Sequence, residues 1–100
     1  MRIIALSTLR IFWESHPAYA DAKTPLVELY RHMEKAEYQT PQALKAELRT
    51  ASILKAGRVV FNVGGNKYRV IMAIDYLRQL GFIPFVGTHA QYDQINAETV

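Results

Sequence analysis

Asn62, Asn66, Lys67, Arg69, His89, Tyr92 and Asp93 are the side chains of this sequence whose types and spacing best suit chemistry. They fall within one stretch, Arg58 to Asp93, where apolar runs are separated by Gly64-Gly65-Asn66 and by a polar cluster after Val86. Basic and imidazole groups displayed on a small sheet, without a metal-ligand set, suit the handling of phosphate rather than of a metal or a nucleotide cofactor. An arginine fork grips two phosphate oxygens at once. An imidazole gains and loses protons near neutral pH. Lys67 and Arg69 share strand parity, which predicts that both point to one face of a sheet. Tyr92 follows His89 by three residues, so on a helical turn the two face the same way.

Each of these residues also has a plainer role open to it. His89 at a strand end can serve as a cap or a hydrogen-bonded core group, and Tyr92 can be core packing. Asp93 can orient a neighbour or cap a helix. Asn62 and Asn66 fit a hairpin without any substrate, Asn66 as a turn residue first. Gly64-Gly65 is not a phosphate loop, because it lacks the Lys-Ser/Thr continuation and no helix follows it. His16 and His32 belong to early helices and are expected to be structural or at the surface. No serine elbow, HExxH or paired-carboxylate pattern occurs. With no cysteine and three scattered histidines, neither a metal site nor a cofactor is expected.

The elements that must position these groups change period along the chain. Ile3 to Leu6 reads as a short buried strand. Ser7 is the expected cap of a first helix carrying Leu9, Phe12, Trp13 and His16 on one face, stopped by Pro17. A second helix begins between Asp21 and Pro25, with Thr24-Pro25 as its start signal. It carries Leu26, Leu29, Tyr30 and Met33 in a stripe that ends at Glu37. Thr40-Pro41 opens a third helix through Leu48. Ala51 to Leu54, Val59 to Val63, Tyr68 to Ile74 and Phe82 to Val86 then read as strands. The second and third of these four form a hairpin across Gly64-Gly65-Asn66. Asp75 to Gly81 is a wide turn or an irregular continuation, and Pro84 argues for a bulge or an edge. Thr88 caps a short final helix displaying Ala90, Tyr92 and Ile95. Helices early and strands late describe an α+β domain with a small twisted antiparallel sheet.

The chain of 100 residues is read as one domain, 1–100, with a small core. Half of its residues are hydrophobic and 21% are charged, the composition of a folded globule. No run approaches the length of a membrane span, and the N-terminal apolar run is too short for a signal peptide, so a cytoplasmic protein is expected. The net charge of +3 is unevenly spread. Residues 41–69 hold Lys45, Arg49, Lys55, Arg58, Lys67 and Arg69 against the single acid Glu47. Such a patch favours a polyanion or is a solvated face.

F-N-V-G-G-N-K-Y-R-V at 61–70, followed by G-T-H-A-Q-Y-D at 87–93, resembles the HigB toxins, RelE-like messenger-RNA interferases of bacterial toxin–antitoxin operons. The resemblance covers nearly the whole chain. It implies helices packed on one face of a twisted antiparallel sheet and cutting of translated mRNA on the ribosome. It also implies neutralisation by a HigA-like helix-turn-helix antitoxin, with operator DNA reached only through that antitoxin. Metal-free RNA cleavage uses the substrate's own 2′-hydroxyl. It needs a group to take that proton, a cation for the phosphorane and an acid for the leaving 5′-oxygen. Arg69 suits the cation, His89 the base or the acid, and Tyr92 a proton donor or a stacking ring. Lys45, Lys55, Asn62 and Lys67 suit contacts to RNA. Two other readings stay open: a non-catalytic RNA- or ribosome-binding module, and a degenerate toxin that binds antitoxin and helps repress the operon.

Overall fold

The computed structural model describes residues 1–100. Strand β1 (Arg2–Ile4) leads into helix α1 (Leu6–Glu14), a 3-10 helix over Pro17–Ala22, α2 (Lys23–Lys35) and α3 (Pro41–Glu47). Four strands follow, β2 (Ser52–Ile53), β3 (Arg58–Val63), β4 (Tyr68–Asp75) and β5 (Leu80–Thr88), and then α4 (His89–Tyr92). The strands form one sheet in the order β1-β5-β4-β3-β2. The α+β class expected from the sequence holds. Neighbours from β2 to β5 pair antiparallel, but β1 pairs with β5 in parallel, Ile3 opposite Gly81. The sheet is therefore mixed rather than wholly antiparallel. An edge strand reached through helices has no hairpin to dictate its direction, and a period-2 pattern is the same in either sense.

Three helix starts differ in detail. β1 ends at Ile4 and α1 begins at Leu6, so Ser7 lies inside the first turn and Ala5 caps without a side-chain bond. The first helix ends before Pro17, as expected, and Pro17 opens a 3-10 helix, in which His16 Nδ1 accepts the Ala18 N–H at 3.0 Å. That helix runs straight into α2 at Lys23, which places Thr24 and Pro25 inside α2. The Thr40-Pro41 signal is realised as read: Thr40 Oγ1 accepts the Ala43 N–H at 3.1 Å.

Alternation decides which side of the sheet is which. Val59, Phe61 and Val63 of β3, with Tyr68, Val70, Met72 and Ile74 of β4, pack into one core with Leu9, Phe12, Leu26, Met33 and Leu44 from the helices. The intervening residues, Arg58, Val60 and Asn62 of β3 and Arg69, Ile71 and Ala73 of β4, face the other way. Pro84 lies in the expected bulge: Ile71 pairs with Phe85 and Ala73 with Phe82, so two residues of β5 stand opposite one of β4. The segment between β4 and β5 is tighter than the sequence suggests, four residues from Tyr76 to Gln79.

Candidate active site

The hairpin turn and α4 bring the site together. Asn62 and Arg69 are direct partners across β3 and β4, and Arg69 is in turn opposite Gly87 of β5. These three positions share the face turned away from α1–α3. Gly87 shows what covers that face: a Cβ there would come within 2.7 Å of both Gln91 Oε1 and the Phe85 ring. Glycine is what lets α4 lie down on the sheet. The helix is fixed by a capping box, in which Thr88 Oγ1 accepts the Gln91 N–H at 3.1 Å and Gln91 Oε1 accepts the Thr88 N–H at 2.8 Å. Its first backbone N–H, that of His89, donates to Lys67 O at 3.2 Å and ties α4 to the hairpin tip. Asn62, Arg69, His89 and Tyr92 are thus gathered on one side of the molecule.

Their environments differ. Arg69 is only 9% exposed, and its Nη1 donates to Asn66 O at 2.8 Å and Tyr68 O at 3.2 Å. No carboxylate neutralises it, and Nε and Nη2 have no protein partner. A rigid, uncompensated cation with one edge uncommitted is suited to an anion presented from outside. His89 is exposed, with Nδ1 3.0 Å from Oδ2 of Asp93. Tyr92 is half-buried, its ring centroid 6.3 Å from that of Phe85. Asn62 is exposed beside Arg69.

The three lysines expected to touch RNA separate. Lys67 does not share a face with Arg69. It sits in the turn before β4, where strand parity no longer applies, and its Nζ reaches Asp21 Oδ2 of the 3-10 helix at 2.5 Å. The Tyr68 hydroxyl donates to the other oxygen of the same carboxylate. The hydrogen bonds from Lys67 and then Tyr68 hold the Asp21 carboxyl below its usual range, and Asp21 raises Lys67 in return. Tyr68 is raised first by burial and then by its bond to Asp21. Lys45 is also committed internally, donating to Arg49 O at 2.7 Å and Ala51 O at 2.6 Å between α3 and β2. Lys55 remains exposed and free of protein partners in the β2–β3 turn. The adjacent Leu54 lines a hollow with Tyr92, Asp93 and residues 95–98, so this turn borders the same side of the molecule.

Two groups were not singled out by the sequence. Arg58 is on the same face as Asn62 by alternation, and its Nη1 is buried without a partner; the spacing 58, 60, 62 carried that signal. Asp21, which quenches Lys67, left none, because 46 residues separate the pair.

The family described as HigB toxin, RelE-like toxic component of a toxin–antitoxin system, matches residues 22–95. An mRNA interferase toxin HigB of Escherichia coli K12 is 33% identical over 99 residues, covering 97% of this chain and 92% of that protein. An mRNA interferase HigB of Shigella flexneri is similar to the same extent, 33% over 99 residues. Another, from Escherichia coli O6:H1, is 28% identical over 86 residues, 84% of each chain. The hairpin with Asn62 and Arg69 and the short helix with His89 and Tyr92 both lie inside the matched residues, and the chain belongs to the HigB toxins, the RelE-like toxic components of toxin–antitoxin systems.

Proposed function

We propose that this chain is an endoribonuclease that cuts messenger RNA during translation on the ribosome, arresting growth unless a HigA-like helix-turn-helix antitoxin neutralises it. It acts in the cytoplasm, where translated messages are, and meets operator DNA only through the antitoxin. The observation that carries this reading is the cluster of Asn62, Arg69, His89 and Tyr92 on the one face of the sheet that the N-terminal helices leave free.

The chemistry follows from the parts. The 2′-hydroxyl of the nucleotide before the cut loses its proton to His89, and its oxygen attacks phosphorus. Arg69, held by backbone carbonyls and carrying no counter-charge, meets the negative charge that builds on the phosphorane oxygens. The 5′-oxygen leaves with a proton from the Tyr92 phenol, three residues from His89 in the same helix. Asn62 and Lys55 hold the strand; Lys45 and Lys67, already bonded within the protein, contribute less. The products are a 2′,3′-cyclic phosphate and a 5′-hydroxyl.

Brief induction in cells without antitoxin, followed by mapping of 5′ ends on one translated message, tests the reading. In-frame cuts with growth arrest are expected. Soluble protein that leaves growth and messages unchanged sinks it. Growth arrest with intact messages would favour the non-catalytic ribosome-binding module instead.

A further inference from the structure

His89 and Asp93 stand one helical turn apart and their side chains meet, Nδ1 to Oδ2 at 3.0 Å. An ionised carboxylate accepts hydrogen bonds and donates none. The bond that one ring nitrogen makes decides which nitrogen carries the hydrogen. The hydrogen of neutral His89 therefore sits on Nδ1, and the lone pair is on Nε2. Nε2 has no protein partner, and the His89 side chain is 55% exposed. Asp93 gains nothing from the helix itself, because a carboxylate at a C-terminal end opposes the dipole. Both residues are fixed from the backbone: His89 N–H donates to Lys67 O at 3.2 Å, and Asp93 N–H to His89 O at 3.0 Å.

We propose that Asp93 is the positioning residue for His89, holding it in the Nδ1–H tautomer so that Nε2 is the base for the 2′-hydroxyl. This rests on the reading that His89 takes the 2′-hydroxyl proton of the scissile nucleotide. The 2′-O–H proton passes to Nε2, the 2′-oxygen bonds to phosphorus, and the bond from phosphorus to the 5′-oxygen breaks. The 5′-oxygen takes its proton from Tyr92. The imidazolium left behind is paired with the Asp93 carboxylate, which stays ionised throughout.

The test joins nitrogen-15 spectra of the full chain with single-turnover cleavage on programmed ribosomes, for wild type, Asp93→Ala, Asp93→Asn and His89→Gln. Wild type should show neutral His89 with hydrogen on Nδ1, and Asp93→Ala should lose that signature. Cleavage by bound Asp93→Ala should fall on the order of tenfold to a hundredfold, within the range that a placed base contributes, with ribosome affinity unchanged. Asp93→Asn preserves shape but can offer an N–H to Nδ1 and so favour the opposite tautomer. It should do no better than Ala, whereas a merely structural Asp93 would be replaced by Asn without loss. If Asp93→Ala melts early, Asp93→Asn alone decides. Hydrogen on Nε2 in wild type, or wild-type cleavage by Asp93→Asn, overturns the proposal. Where only the Asp93 variants cleave normally and His89→Gln is slow, the positioning role fails and the base survives. Normal cleavage by His89→Gln removes the base reading and the positioning role with it.

Discussion

Strand β4 presents Tyr68, Val70, Met72 and Ile74 to the helices, and Arg69, Ile71 and Ala73 to the opposite side. On the helix side the charge and the hydroxyl at the start of the strand are both answered by the protein: Asp21 takes the Lys67 ammonium and the Tyr68 hydroxyl. On the other side Arg69 is buried, far more so than the exposed Asp21–Lys67 pair, yet no carboxylate answers its charge. A buried cation left without a counter-ion costs stability. A side of the molecule that keeps one, next to an imidazole and a phenol on a pinned helix, is suited to an anion presented from outside, as the proposed function requires. The helix side carries the core, and the free side carries the residues proposed to act on RNA.

The largest expected contrast is between Arg69→Ala and Leu26→Ala. Removing a preorganised donor aimed at developing charge typically slows a reaction about a hundredfold to a thousandfold. Arg69→Ala should show that loss in single-turnover cleavage by bound complex. Leu26 is fully buried among the helices; its truncation should cost about 3 kcal/mol of stability while the folded fraction cleaves normally. An Arg69→Ala variant that only melts early and still cleaves at the wild-type rate would move Arg69 to the framework, as a clasp on the Asn66 and Tyr68 carbonyls.

A smaller difference separates two lysines. Lys55 is unpaired, and Lys67 is held by Asp21. Lys55→Gln should weaken ribosome or RNA binding and reduce the slope of log affinity against log salt by about one. Lys67→Gln should leave that slope nearly unchanged, because its charge is already met inside the protein. Equal slopes for the two variants would mean that RNA displaces Asp21.

The smallest effect is on stability and depends on pH. Asp21 has a lowered pKa in the folded chain, caused first by Lys67 and then by Tyr68. Its contribution is therefore present above the pKa of an unfolded aspartate and is lost as pH falls through the lower folded value. Melting of wild type and Asp21→Asn should differ most near neutral pH and converge in acid. A gap that stays constant down to the acid limb would show that the ion pair is not its source. Asp21 is exposed, so screening keeps the difference modest.

Much of this was legible in the linear chain. The Thr40 and Thr88 caps, the glycine hairpin, the Pro84 bulge and the helix stripes are local, and local backbone sterics and side-chain bonds settle them within a few residues. The hairpin itself and the shared face of His89 and Tyr92 were readable from turn residues and helical spacing, whereas the pairing of Asn62 with Arg69 came with the observed register. The direction of β1, the burial of Arg69 and the fates of the lysines did not follow. Lys45 and Lys67 look alike as charges in a basic stretch. One was taken by carbonyls at the end of α3 and the other by a carboxylate from the 3-10 helix. The sequence by itself determined the elements, the alternation and the order of the chemical groups, because those depend on neighbours a few residues away. Only the tertiary structure decided which cation is neutralised, which keeps a free edge and which face α4 covers. Desolvation and ion pairing are set by residues distant in the chain, and no short-range pattern records them.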